Sequence, residues 1–372
     1  MPSNWIRPNR KLRVPPPGYR GKYHRYRRTQ RPRYPRLISV GGLILVVLAF
    51  LCTLAFRFVY LPAGTGAERT VVIPQGSGTQ EIAHLLQQEN LIRSAFGFRV
   101  LARLNRADAH LRAGEYRLSP TMRPENIIRK LTKGEVITYP VTVPEGYTAE
   151  RIAMLMEEKG LFTRQAFDEA MARVYETTAP TAYGFPLPPK NTAYKHALEG
   201  YLFPETYQFF KGMKPDEMVK AMLANLDRAL DAKLKARAAE KKISLHDLLT
   251  MASIVEKEAQ KPEERPIIAA VYLNRLKIGM KLDADPTVKY ALVEPGKLVT
   301  LEDLEVDSPY NTYKNAGLPP GPIANPGRPA MEAVLSPAGV DYLYFVAKGD
   351  GTHAFAATWD EHVRNIARYS QP

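Results

Sequence analysis

An α+β protein carried behind a single N-terminal transmembrane helix is what the 372-residue sequence predicts, on three observations. A twenty-residue stretch near the amino terminus, residues 37–56, holds no charge. A strand–turn–helix unit then recurs at an offset of 70 residues, and further on an apolar helical run ends in two carboxylates. The first observation gives the anchor, and the other two give mixed secondary structure outside it.

Residues 1–36 hold twelve of the 52 Lys and Arg and no Asp or Glu. The remaining residues carry 40 basic against 38 acidic side chains, so nearly all of the net charge of +14 belongs to this tail. Twenty residues at about 1.5 Å per residue cross a hydrocarbon core of about 30 Å, which predicts a transmembrane helix over 37–57. A cleaved signal peptide is the competing reading, but its apolar core is about 7–15 residues long. Basic residues collect on the cytoplasmic side of such spans. The tail is therefore expected in the cytoplasm and the rest outside the cell membrane. Rich in Arg, Tyr and Pro, the tail cannot bury a core and is expected to be disordered. Anionic lipid headgroups account for its charge, so no nucleic-acid partner is inferred. The sole cysteine, Cys52, lies in the span and leaves the external part without a disulfide, a thiolate metal site or a Cys nucleophile.

Residues 58–69 read as a linker. Val71-Val72-Ile73-Pro74-Gln75-Gly76, Ile82-Ala83-His84-Leu85 and Leu91 then align without a gap on Val141-Thr142-Val143-Pro144-Glu145-Gly146, Ile152-Ala153-Met154-Leu155 and Leu161. Each copy is a β-branched strand, a Pro-x-Gly turn and a helix. Between the copies, residues 94–104 read as a second helix and Ala113-Gly114-Glu115-Tyr116-Arg117-Leu118 as a returning strand. Strand, helix, helix, strand resembles the LysM-like modules that bind N-acetylglucosamine polymers, and this places such a module at 70–136. A plain spacer fold is the alternative. Pro124 opens another helix that closes at Lys133-Gly134, residues 167–175 are helical, and 180–191 form a Pro-rich loop. The stretch 214–242 has helical periodicity, and Ser244 caps the helix after it. An α+β catalytic domain is assigned to 137–370.

That capped helix ends at Val255-Glu256-Lys257-Glu258. Leu245, Leu248, Leu249, Ala252 and Val255 form one stripe at 100° per residue; Glu256 falls within it and Glu258 on its flank, beside Met251. A carboxylate in an apolar wall is costly unless it is paired or its raised pKa is used. Helical geometry leaves open which of the two is buried, and a solvated charge cluster with Lys257, Lys261 and Glu263-Glu264-Arg265 is the plain alternative.

Ala252-Ser253-Ile254-Val255-Glu256-Lys257-Glu258, Val271-Tyr272-Leu273-Asn274-Arg275-Leu276, Ile278-Gly279-Met280 and Asp285-Pro286-Thr287-Val288 resemble the signature of the endolytic murein transglycosylases, the YceG-like family. Upstream, Glu199-Gly200-Tyr201-Leu202-Phe203-Pro204-Glu205-Thr206-Tyr207 matches the same family. Downstream, Tyr310-Asn311-Thr312-Tyr313, Gly317-Leu318-Pro319-Pro320-Gly321-Pro322-Ile323, Asn325-Pro326-Gly327 and Gly351-Thr352-His353-Ala354-Phe355 continue it. The resemblance implies cleavage of the β-1,4 bond between N-acetylmuramic acid and N-acetylglucosamine within nascent peptidoglycan glycan strands, leaving a 1,6-anhydro end. It places the catalytic Glu on Glu258, with Glu256 as its neighbour or alternative. One Glu suffices when the sugar's own 6-hydroxyl replaces water, provided burial raises its pKa from about 4.3 towards roughly 6–7. The resemblance also implies membrane-bound wall synthases as partners.

For substrate, Tyr201, Phe203 and Tyr207 offer flat apolar faces to pyranose rings; Glu205, Asp285, Asn311 and Tyr313 offer hydrogen bonds to hydroxyls and acetamides. His353 has no second His at metal-ligand spacing, so no metal is expected, and no nucleotide or phosphate fingerprint suggests a cofactor. Two rivals remain: a non-catalytic peptidoglycan-binding scaffold, and a glycoside hydrolase using Glu256 and Glu258, or one of them with Glu205.

Overall fold

The computed structural model describes residues 35–191, 193–292 and 299–369. Nearly all of the basic tail, with its expected disorder, lies outside the described residues. Residues 1–58 and 59–372 separate into two units, each described by itself. The first contains most of helix α1 (Pro35–Tyr60). Its Val40–Tyr60 stretch is long and apolar enough to cross a membrane. Val40, Leu43, Leu45, Phe50 and Phe56 are exposed, as in a helix that has no protein core to bury them.

In the second unit the repeat is larger than the sequence pattern reveals. The first copy runs β1 (Arg69–Ile73), α2 (Thr79–Gln88), α3 (Ala95–Leu104), β2 (Gly114–Leu118), α4 (Pro124–Lys133). The second runs β3 (Tyr139–Thr142), α5 (Ala149–Glu158), α6 (Arg164–Thr177), β4 (Thr206–Phe209), α7 (Pro215–Ala229). In each copy the two strands pair antiparallel, Val71 opposite Tyr116 and Val141 opposite Tyr207. Both tyrosines donate a hydrogen bond to the carbonyl four residues back, at Arg112 and Phe203. Pro124 and Pro215 both open their helices, where no backbone N–H is missed. The Pro-x-Gly turns place Gly76 and Gly146 in the left-handed region, φ +81° and +74°. The offset grows from 70 residues at the first strands to 91 at the tyrosines, because 21 extra residues enter between Leu161 and Tyr207, in a longer α6 and the stretch after it. That insertion, which breaks the alignment, carries the Glu199-to-Pro204 motif.

The expected linker is not a free tether. Arg93 Nε donates to the Pro62 carbonyl at 2.6 Å and Gly64 N–H to that of Pro120 at 3.1 Å. The first copy closes its own core around Ile73, Leu86, Phe98, Tyr116 and Leu131. The second copy shares one core with the helices after it: α8 (Ala232–Glu240), α9 (Leu245–Glu258), α10 (Arg265–Lys277), α11 (Asp285–Leu292) and α12 (Arg328–Leu335). A hairpin of β5 (Tyr344–Ala347) and β6 (His353–Ala356) and then α13 (Trp359–Tyr369) complete the unit. The helical stretch 214–242 divides in two because Asp231 caps α8, accepting from Leu234 N–H at 2.8 Å. Ser244 caps α9 in the same way. Every residue from 248 to 255 is buried, so α9 is covered on all sides; each large side chain contributes about 1.5–3 kcal/mol.

The insertion joins the copy to the rest through one buried carboxyl. Glu199 accepts from Ala149 N–H (2.9 Å), the Asn325 side-chain amide (3.1 Å) and Tyr290 O–H (3.1 Å), which tie α5, a later loop and α11 together. Burial pushes this carboxyl up to about 8, against those hydrogen bonds and Lys195. Beside it, Gly200 adopts φ +83° with its Cα hydrogen facing the Pro322 ring. A Cβ there would collide with that ring, whereas Gly160, φ +67°, faces open space. Gly160→Ala is expected to cost about 1 kcal/mol and Gly200→Ala about 2–4 kcal/mol in chemical denaturation of the full chain in detergent. Equal losses would disprove the close approach. Glu199 holds its proton in the fold and releases it on unfolding above about 4.5, so its contribution to stability falls as pH rises from about 4.5 to about 8. In Glu199→Gln that part of the pH dependence should vanish from the denaturation midpoints.

Candidate active site

Where α9 leaves the core, its two carboxylates meet different surroundings. Glu256, with 6% of its side chain exposed, takes Arg265 Nη2 on Oε1 at 2.9 Å and the Gly327 N–H on Oε2 at 3.2 Å. Arg265 also reaches Glu145 Oε2 at 3.7 Å. Both oxygens of Glu256 therefore have donors, and its charge is matched by a guanidinium. Glu258 has no such partner within ion-pair distance among the described residues. Tyr272, which is 1% exposed, donates its O–H to Glu258 Oε1 at 2.9 Å. Burial, reinforced by the charge of Asp285, pushes the Glu258 carboxyl up to about 7; the Tyr272 hydrogen bond, Lys289 and Arg275 pull the other way. Glu258 is also the last residue of α9, where the free carbonyl ends of a helix disfavour an anion. A group that holds a proton near neutrality and loses it readily can act as acid and then as base.

Three further predicted residues divide around it. Asp285, exposed at the start of α11, accepts the Tyr313 O–H at 2.6 Å. Burial and Asp285 raise the Tyr313 phenol, and the charge of Glu258 reaches it as well. Asn311 is buried instead. Its amide donates to the carbonyls of Leu304 (2.8 Å) and Val306 (2.9 Å) and its oxygen accepts from Tyr313 N–H (3.0 Å), so it shapes the loop that presents Tyr313.

The remaining predicted residues lie elsewhere. Tyr201 is buried with its hydroxyl 3.2 Å from His246 Nδ1, and Tyr207 is the buried tyrosine of the second repeat, so neither ring offers a face to a ligand. Glu205 is exposed and lines a different cleft with Glu145, Phe203, Arg228 and Arg328. His353 is buried against Glu264, Nδ1 to Oε2 at 2.7 Å, and its N–H is held by the same carboxylate.

A second Pro-rich loop, residues 317–327, is strapped along α9. Pro320 O lies 2.7 Å from His246 Nε2, Ile323 N–H donates to Ser253 Oγ at 3.0 Å, and Gly327 N–H reaches Glu256. The sequence reading passed over Tyr272, Arg265 and Ser253. Tyr272 and Ser253 lie inside the motifs, but their roles depend on which groups the fold brings opposite them. Arg265 sits in a charged run that reads as solvated surface.

Residues 71–368 match the YceG-like family. A protein of Bacillus subtilis named endolytic murein transglycosylase is 38% identical over 307 residues, covering 80% of this chain and 83% of that protein. One of the same name from Streptococcus pneumoniae is 34% identical over 363 residues, and the match spans 89% of this chain but 65% of the longer relative. The crystal structure of a putative YceG-like protein from Listeria monocytogenes superimposes with a TM-score of 0.57 at 38% identity, over 80% of this chain and 98% of that one. With a family match that takes in most of its length and relatives this similar, the chain belongs to the YceG-like family.

Proposed function

We propose that the protein is an endolytic peptidoglycan lytic transglycosylase that cleaves the β-1,4 bond between N-acetylmuramic acid and N-acetylglucosamine, with Glu258 as its single acid/base. The contrast between the two carboxylates carries this reading. Glu256 has both oxygens engaged, whereas Glu258 is half-buried, has no cation within ion-pair distance among the described residues and is pushed up to about 7. The names of the relatives, endolytic murein transglycosylase, supply the substrate class.

Tyr272 occupies Oε1, so the proton of the neutral carboxyl belongs on Oε2. It passes to the glycosidic oxygen as the bond to the anomeric carbon breaks. The resulting carboxylate then takes the proton of the 6-hydroxyl, whose oxygen closes on the anomeric carbon, and the acid is restored with an anhydro sugar as product. Asp285 and Tyr313, bonded to each other and within reach of the Glu258 charge, are the groups we assign to hydroxyls or acetamides of the substrate.

The β1–α2–α3–β2 order supports a LysM-like first module that touches the glycan, ahead of a catalytic domain that begins near residue 137. The basic tail supports an orientation with the site outside the cell membrane. An anchor in the same chain as the site fits a substrate of newly made strands and membrane-bound wall synthases as partners.

Glu258→Gln is expected to lower turnover of purified glycan strands about 10²–10⁴-fold, and anhydro ends in the wild-type digest should be visible by mass spectrometry. Reducing ends would point to a hydrolase; full activity in Glu258→Gln would remove Glu258 from the role. Glu256→Gln should instead act on stability, because it leaves Arg265 without its closest anion, at a cost of about 3–5 kcal/mol. Since the reaction starts from the protonated acid, kcat/KM should fall as pH rises through about 7. A profile still flat at pH 9 would contradict this.

A further inference from the structure

Beyond the reacting centre, an exposed aromatic cluster has no role in what is described above. Trp359 opens α13 with 58% of its surface exposed. Its ring meets Tyr344 at 5.6 Å and His362 at 5.4 Å, and Tyr344 and His362 stack at 5.1 Å with 21° between their planes. Arg275 fixes this cluster relative to the reacting centre. Its guanidinium lies 5.5 Å from the Tyr344 ring centre, its Nε donates to the Leu343 carbonyl at 2.6 Å, and its charge acts on Glu258. Arg275 stands three residues after Tyr272 on α10, so the two share a face, and Tyr344 and Phe345 of β5 pack beside them in turn. A path therefore runs from Glu258 along one turn of α10 to the three rings.

Resting on the reading above, we infer that Trp359 and Tyr344 form a stacking platform for a further pyranose ring of the glycan strand, a subsite outside the reacting disaccharide. Three observations favour a sugar. The rings are braced by one another and by Arg275 instead of being swallowed by the core. His362 Nδ1 is buried in the cluster without a hydrogen-bond partner among the described residues. The platform also continues from the catalytic acid, as a polymer substrate requires. An apolar face joined to a polar tip suits a pyranose, which is apolar on one side and hydroxylated at its rim.

The sequence itself supplies the probe, because it holds two tryptophans and the other, Trp5, lies in the basic tail. The full chain carrying Trp5→Phe, with Glu258→Gln to block turnover, would be titrated in detergent with purified glycan strands free of stem peptides, following Trp359 emission and calorimetric heat together. A saturable change of emission that tracks the heat is expected. Trp359→Ala or Tyr344→Ala should weaken affinity about tenfold, and Trp359→Tyr, which keeps a ring, should retain most of it. Saturable heat with silent Trp359 emission, or unchanged affinity in Trp359→Ala, overturns the platform and leaves the proposed reaction standing. Emission that depends on protein concentration instead of glycan would mark the face as a contact between copies and also overturn it. Absence of any glycan binding overturns both readings.

Discussion

Helix α9 has no solvent face between residues 248 and 255, and this constraint governs the architecture around it. A helix covered on every side must be wrapped by several elements, here α12, α10, α11 and the Pro-rich loop over 317–327. Each wrapping element needs somewhere to place its polar backbone. Ser253 and His246 meet that need for the Pro-rich loop, and Glu199 meets it for the amino end of α5. Polar atoms inside this core are thus fixed by what packs over them, and the helix can release its buried face only at its carboxyl end. Two carboxylates two residues apart leave there in different directions, one towards Arg265 and the other towards Tyr272.

Much of this was legible in the residues. The charge-free run, the capped apolar helix and the strand–turn–helix repeat are periodic patterns, and local periodicity survives in a sequence read without its fold. The full extent of the repeat was hidden because 21 inserted residues shift β4 and α7 out of register, although Tyr116–Pro124 and Tyr207–Pro215 keep the same internal spacing. At the site, motif membership marked residues whose type matters without saying which way they face. Asn311, Tyr201 and Tyr207 turn inward and hold loops or strands, whereas Asp285 and Tyr313 bond to each other within reach of the Glu258 charge. The helical wheel did place Glu256 among apolar neighbours. What it could not contain is Arg265, nine residues later, which makes that burial tolerable.

The environment of Glu258 shows how opposed forces set a working acid. Burial and a neighbouring carboxylate raise its proton affinity; a phenol, Lys289 and Arg275 lower it. The balance falls near neutrality because, among the described residues, no single cation comes close enough to pair with it.

The two repeat copies, alike in path, live under unequal constraint. In the second, the turn at Gly146 is buried, its N–H given to the Asn325 carbonyl, while its counterpart Gly76 is exposed. The first turn reaches the second copy by the Gln75 side-chain amide, which donates to the Gly212 carbonyl, whereas a change at the second turn is transmitted through Asn325 and Glu199 into the wall around α9. A substitution at the exposed first turn therefore disturbs a rim contact between the two copies, and one at the buried second turn disturbs the packing that holds α9.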